Sequence, residues 1–387
     1  MKVIGNSLFQ KSLNGALILN YLLKNGESSR IELAEQLGLQ PSSITYIISR
    51  FLNIGLVRET KVKKKQRGSG RPAVKLQLNP DYGRVIGIEM QSNYYRAVIC
   101  DISGRVLTQL QREVSPHAGS FEQYLQECIR SVRSQITGLQ LLGVGIASPG
   151  VIHPQSATIE ESLSHNIKSL SLADYFDRNF DFPVVIENDA NSCALHILWK
   201  QRNQNSPSFL YVLPRFHDPD EMPADFPAVG IGLGIVIEGK LYRGENHRAG
   251  EFRSAFLNRF DQSEVSLLVP ETRQLKQNRE IKRRLIRELL QNLAFAVSLL
   301  NPRGVLIGGD LAGESEMIND ILSAELQPTA RYLEHSKCSF ETLQDVTYDA
   351  AAGAAANMLS ELYRVPQAGM QGMSQKIWTH MLANATQ

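Results

Sequence analysis

Residues 28–72 read SSRIELAEQLGLQPSSITYIISRFLNIGLVRETKVKKKQRGSGRP, and the rest of the chain is organised around them. Ile31, Leu33, Ala34 and Leu37 can supply the buried face of a first short helix. Gly38 is placed to end it, because glycine takes left-handed backbone at a helix C-terminus without steric cost. Pro41 suits the first position of a second helix, where its missing N–H is not needed, and Ser42 and Ser43 lie in the opening turn. Ile44, Ile47, Ile48, Phe51 and Leu52 then recur at helical spacing as an apolar stripe. The other face carries Ser42, Ser43, Thr45, Tyr46, Ser49 and Arg50, donors small or planar enough to enter a major groove. Gly55 stops the helix, and a strand begins at Leu56 and Val57. Six cations (Lys61, Lys63, Lys64, Lys65, Arg67 and Arg71) crowd the next turn around Gly68-Ser69-Gly70 before Val74 to Leu78 return as a second strand.

That pattern is a helix-turn-helix with a basic wing. An ordinary helical hairpin beside a solvated charge run is the alternative, since the helix pair alone is weakly specific. The wing tips the balance: a flexible, cationic hairpin tip without an apolar anchor suits phosphates and a minor groove. The expected partner is a double-stranded DNA operator. Its candidate contacts are Ser42, Ser43, Thr45, Tyr46, Ser49, Arg50, Lys63, Lys64, Lys65, Arg67 and Arg71.

The chain has 387 residues, so more than one core is expected. Net charge is +2, yet residues 1–80 carry +9 and the remainder −7, which assigns nucleic-acid contact to the head and not to the body. No apolar run reaches membrane-spanning length, and the N-terminus lacks the apolar core of a signal peptide. Cys100, Cys128, Cys193 and Cys338 are scattered, with no CxxC, which suggests neither a disulfide framework nor a zinc knuckle and fits a cytoplasmic protein.

Residues 8–25 form one amphipathic helix, with Leu13, Leu17 and Tyr21 able to pack on the helix pair. Asn79-Pro80-Asp81 leaves the wing, so residues 1–80 are the winged head and 81–387 the body. In the body, three strands in meander (Val85–Glu89, Tyr95–Asp101, Val106–Arg112) precede alternating helices and strands, and the pattern occurs twice. The expected fold class is α/β: a winged helix-turn-helix followed by a two-lobed actin-like (ribonuclease H-like) domain. Lobe one covers about 81–195 with the C-terminal helix, and lobe two about 196–370. Leu170–Phe180 reads as helix, and Pro214–Pro227, acidic and proline-rich, as a surface loop.

The body contains, in order, GVGIASPGVI, PVVIENDANSCAL, HRAGEF, NPRGVLIGGDL and GAAANML. With SRIELAEQLGL, GLV and GRP in the head, the chain resembles the repressor branch of the ROK family of sugar kinases and sugar-responsive repressors. The resemblance implies that Asn188 and Asp189 hold sugar hydroxyls, Asp189 standing at the kinase base position, and that Glu251 is a further sugar contact. Gly150 and the segment Ser164–Asn166, with His165 and Asn166, resemble the rest of the pocket lining. For Asn188 and Asp189 an Asx turn capping the next helix is the plainer alternative.

The departures bear on activity. The first phosphate-gripping hairpin of the family reads Glu89-Met90-Gln91-Ser92-Asn93-Tyr94 here, without glycine, so Gln91 and Tyr94 would fill the space a phosphate needs. In the second, Ala228 to Gly234, Val229 replaces a threonine hydroxyl. Asp189 is therefore a vestigial base position: no kinase activity, no catalytic residue and no cofactor are expected. Ser254 stands where the family has a zinc-ligating histidine and the cysteine cluster is missing, so no family-type zinc site is expected. Glu264 is a candidate for a later sugar-binding glutamate.

The resulting expectation is a transcriptional regulator of carbohydrate genes, a repressor, controlled by a sugar or sugar phosphate that closes the lobes about Asn188, Asp189 and Glu251. A homodimer or a tetramer is inferred from half-site geometry and the resemblance. An active sugar kinase with a DNA-binding head, and a repressor controlled by a protein partner, are the rivals.

Overall fold

The first helices of the head are set by local hydrogen bonding. Ser29 caps helix Arg30–Leu37: its hydroxyl accepts from the Glu32 amide at 3.2 Å, and the Glu32 carboxylate accepts from the Ser29 amide at 2.8 Å. Gly38 closes that helix in left-handed conformation, φ 63°. Helix Pro41–Asn53 follows and buries Ile44, Ile47, Ile48 and Phe51. Helix Ser7–Asn25 packs beside the pair and buries the apolar side chains of Ala16, Ile18, Leu19 and Leu22, with Leu13, Leu17 and Tyr21 only half-buried. Ile31 departs from expectation and is 65% exposed. It lies two residues, about 200° of helical rotation, from the buried Leu33, and so faces solvent.

The molecule is described here by a computed structural model covering residues 7–60, 74–114, 119–204, 207–221, 224–257 and 263–365. The wing strands Val57–Thr60 and Lys75–Leu78 pair antiparallel, Val57 opposite Leu78, and a short strand Glu27–Ser29 adds to the same sheet. Lys63, Lys64, Lys65, Arg67 and Arg71 lie outside the described residues.

By internal contacts the chain forms two compact units, one of residues 1–148, 154–187 and 354–387, the other of 149–153 and 188–353. In the first, a five-stranded sheet runs in the order Val184–Asn188, Leu141–Ser148, Arg84–Met90, Tyr94–Cys100, Val106–Glu113. The last three strands are an antiparallel meander, and Leu141–Ser148 joins Arg84–Met90 in parallel. Helix Phe121–Arg133 covers it with Tyr124, Leu125, Cys128, Ile129 and Val132. A hairpin of strands Thr158–Ser162 and Ile167–Ser171 follows, so Leu170 is in a strand and helix begins only at Ala173. The head belongs to this unit: the Asn20 side-chain amide donates to the Tyr363 carbonyl at 2.6 Å, and the Tyr363 hydroxyl donates to the Ile102 carbonyl at 2.6 Å.

The second unit repeats the plan. Its sheet runs Lys240–Tyr242, Val229–Ile237, Phe209–Phe216, Gly304–Ile307, Ser339–Thr342. Leu285, Leu289, Leu290, Leu293 and Val297 of helix Arg279–Leu300 share its core with Leu210, Val212, Val305 and Ile307. The loop expected from Pro214 starts later, because the strand continues through Phe216. Pro214 is tolerated there because parallel pairing to Gly304–Ile307 ends at Val212, leaving that side without a ladder bond to lose.

Candidate functional site

On helix Pro41–Asn53, Ser42, Thr45, Tyr46, Ser49 and Arg50 are exposed and Ser43 is half-buried. The buried stripe therefore turns this set outward, as a groove-reading face requires. The Thr45 hydroxyl is committed to its own helix, donating to the Pro41 carbonyl at 2.9 Å. The ring of Tyr46 lies beneath the Lys11 ammonium, 5.4 Å from the ring centroid.

Strand Val184–Asn188 runs directly into helix Asp189–Lys200, which belongs to the second unit, and Asn188 is its N-cap. The Asn188 side-chain oxygen accepts from the Asn191 amide at 3.0 Å, while its nitrogen donates to the Gly150 carbonyl at 3.0 Å. Both poles of that carboxamide thus have protein partners, and the Asx-turn alternative describes one of them. Asp189 is buried; one carboxylate oxygen accepts from the Ala190 amide at 2.9 Å and the other from Arg215 Nε at 3.0 Å. Arg215 lies in strand Phe209–Phe216, in a stretch whose prolines and acids read as a loop, so the sequence does not signal this contact. Beside it, burial and the Arg215 charge hold the His217 imidazole below its usual range.

Glu251 is exposed and sits on an isolated bridge to Gly232. Glu264 reaches the same strand: a side-chain carboxyl oxygen accepts from the Ile231 amide at 2.6 Å. Burial, then the nearby Glu251 and Asp189 charges, push the Glu264 carboxyl up to about 8, against the pull of the Ile231 amide and Arg253. The Asp189 and Glu251 charges thus both act on Glu264, with Arg253 opposing them and Arg215 paired to Asp189. Such carboxyls suit a polyhydroxylated ligand, because carboxylates accept and a protonated carboxyl donates.

In the first unit, His165 sets its Nε2 3.3 Å from the Met90 carbonyl and packs edge-on to Phe121, ring centroids 5.0 Å apart. Asn166 is exposed in the turn that follows, with φ 52°. The six residues proposed for sugar therefore separate into His165 and Asn166 in one unit and Gly150, Asn188, Asp189 and Glu251 in the other. Gln91 is 4% exposed, its amide 3.4 Å from the Glu89 carboxylate, and the Tyr124 hydroxyl is shared by the Gln91 and Tyr94 carbonyls.

Residues 85–255 match the family described as ROK, and residues 17–58 that described as winged helix-turn-helix DNA-binding. The chain carries a ROK domain behind a winged helix-turn-helix. Among curated relatives, the xylose repressor of Caldicellulosiruptor bescii is 28% identical over 261 residues, covering 66% of this chain and 61% of that protein. The xylose repressor of Bacillus subtilis strain 168 is 26% identical, covering 64% and 61%, and the N-acetylglucosamine repressor of Escherichia coli O157:H7 24% identical, covering 64% and 58%. The chain therefore spans less than two thirds of the length of these relatives. A crystal structure of a ROK family transcriptional regulator, described as a homolog of the E. coli MLC protein, superposes with TM-score 0.67 at 16% identity, covering 97% of this chain and 100% of that one. A ROK family protein from Streptococcus pneumoniae TIGR4 in complex with sucrose gives 0.54 at 18% identity, covering 72% and 98%. These two likenesses show the fold.

Within the ROK domain, Ser254 is tied in by hydrogen bonds. Its hydroxyl accepts from the Asn292 side chain at 3.2 Å, and the Asn292 oxygen accepts from the Ala255 amide at 2.8 Å. Ser266 is held in turn by the buried Glu288 of the same helix, its amide donating at 2.8 Å. Among the described residues no group of three or more His, Cys, Asp and Glu side chains is placed to hold a metal ion, and no helix is long and apolar enough to cross a membrane.

Proposed function

We propose that this protein is a DNA-binding transcriptional regulator, a repressor of carbohydrate genes, whose ROK domain binds a sugar or sugar phosphate without phosphorylating it. The observation that carries the reading is the outward polar face of helix Pro41–Asn53 on a basic winged head. The relatives named xylose repressor and N-acetylglucosamine repressor support a sugar as effector. Asn188, Asp189, Glu251 and Gly150, with His165 and Asn166, are its proposed contacts, and Glu264 joins them. The Arg215 guanidinium on Asp189 and the filled hairpin at Gln91 oppose phosphoryl transfer. A ligand regulates only by preferring one of two states of the protein, so the effector must bind the operator-free form more tightly than the bound form. A homodimer presents two heads to paired half-sites about one helical turn apart. The proposed location is the cytoplasm.

The test is a gel shift on the DNA upstream of the protein's own coding sequence, with a panel of pentoses, hexoses, amino sugars and their phosphates. Retardation relieved by one sugar is expected, and no retardation at modest ionic strength sinks the reading. A coupled ADP-release assay on the same panel should stay at background; turnover abolished by Asp189→Asn would identify a kinase. Arg67→Ala and Arg71→Ala should weaken binding to every duplex and flatten its salt dependence.

A further inference from the structure

Helix Ser7–Asn25 looks at first like support for the helix pair, since Ala16, Ile18, Leu19 and Leu22 are all buried. Its second turn carries something else. Lys11 is exposed, and its ammonium stands over the ring of Tyr46, 5.4 Å from the centroid. Tyr46 is itself 56% exposed, on the polar face of helix Pro41–Asn53 with Ser42, Thr45 and Ser49. Among the described residues Lys11 makes no ion pair with a carboxylate; the aromatic ring is its partner. A ring face attracts a cation through its quadrupole while leaving the ammonium N–H groups free to meet an anion. This arrangement holds a long, flexible side chain at a chosen place with its charge unspent.

The walls of a major groove are phosphate backbones, and a helix that reads the groove is flanked by them on both sides. A cation fixed beside a groove-facing side chain, on a neighbouring helix, meets such a wall. Resting on the DNA-binding reading above, we propose that Lys11 is a phosphate contact placed by Tyr46. Helix Ser7–Asn25 is then a third DNA-facing element beside the reading helix and the wing. Tyr46 serves this contact through its ring, which it does whatever base lies opposite, so the contact strengthens binding to all sequences alike.

The experiment uses the full chain and a random-sequence duplex, with affinity measured by fluorescence anisotropy from about 50 to 200 mM salt. Wild-type protein that fails to bind any duplex overturns the DNA-binding reading, and this inference with it. If wild type binds, Lys11→Ala should lower the log–log salt slope by about 0.9, the loss of one phosphate contact, and weaken binding severalfold. Lys11→Arg, which keeps the charge, should rescue that slope. Tyr46→Ala should lower the slope as Lys11→Ala does, and the double variant should lose no more than either. An unchanged slope in Lys11→Ala overturns the phosphate contact while leaving the head's DNA binding intact. A normal slope in Tyr46→Ala, or additive losses in the double variant, overturns the placement by the ring. Lys11 is exposed, and an unchanged thermal midpoint of Lys11→Ala keeps the comparison clear of unfolding.

Discussion

The two five-stranded sheets share one topology, yet the two phosphate-gripping places that the resemblance implies differ in opposite ways. At Glu89–Tyr94 the glycines are gone and side chains fill the turn, with Gln91 buried and its amide facing Glu89. At Val229–Ile237 the glycines stay, but they lie within a strand paired to Phe209–Phe216. There they admit a helix. A Cβ on Gly232 would meet the Ala190 Cβ at 2.7 Å, and one on Gly234 would meet the Ala194 Cβ at 2.5 Å and the Ala190 carbonyl oxygen at 2.7 Å. Losing glycine in the first place and keeping it in the second lead to the same proposed outcome, because a glycine is informative only through what approaches it.

The largest expected effect follows from that close approach. Gly234→Ala should cost about 3 kcal/mol, because backbone and a methyl of helix Asp189–Lys200 both stand where the new Cβ would go. Urea unfolding of the two proteins measures it. A loss below about 0.5 kcal/mol would mean the helix does not lie this close, and the contrast between the two places would break.

What the sequence made legible in each place has a physical reason. The stripe Ile44, Ile47, Ile48 and Phe51 could be read because periodicity and burial coincide in an amphipathic helix. Gly38 could be read because a left-handed C-cap is a local requirement. Gln91 could be read because a missing glycine is visible residue by residue. Arg215 and His217 could not: they sit in a stretch whose prolines and acids signal a loop, while the strand runs on to Phe216 through pairing with residues Val229–Ile231 further along the chain. The hairpin Thr158–Ser171 was lost for a related reason, since its half-exposed strands carry no strong alternation. The placement of Glu264 is not legible in the sequence either, because it depends on a long-range bond to Ile231. Ile31 shows the limit of reading a short helix, where one turn decides which side faces the core.

A middle-sized effect tests the carboxyl that caps the glycine strand. The Glu264 carboxyl titrates at about 8 in the folded protein against about 4.5 in its unexceptional state. Between these values the folded chain holds a proton that the unfolded chain has released. Stability therefore declines as pH rises from about 4.5 through about 8 and levels off above. Glu264→Gln removes the titration, so wild type should lose about 1–2 kcal/mol relative to the variant between pH 5 and 8, a figure discounted for partial exposure. Unfolding midpoints of both proteins at the two pH values decide it. Parallel curves would detach Glu264 from the Glu251 and Asp189 charges and leave the strand cap as an ordinary hydrogen bond.

The smallest effect belongs to the hairpin without glycine. Gln91→Ala should cost about 1 kcal/mol, because it removes one buried amide whose partner, Glu89, keeps an ion pair to Arg96 at 3.7 Å. Gln91→Gly should cost somewhat more, since glycine adds freedom to the unfolded chain. Neither should create a nucleotide site: the Tyr124 hydroxyl still engages the Gln91 and Tyr94 carbonyls, and Val229 still supplies methyls in place of a hydroxyl. Calorimetry with magnesium and ATP reads this directly. Heat of binding in Gln91→Gly but not in wild type would mean that one side chain alone had closed the cradle, and the two places would then differ in whether their loss can be reversed.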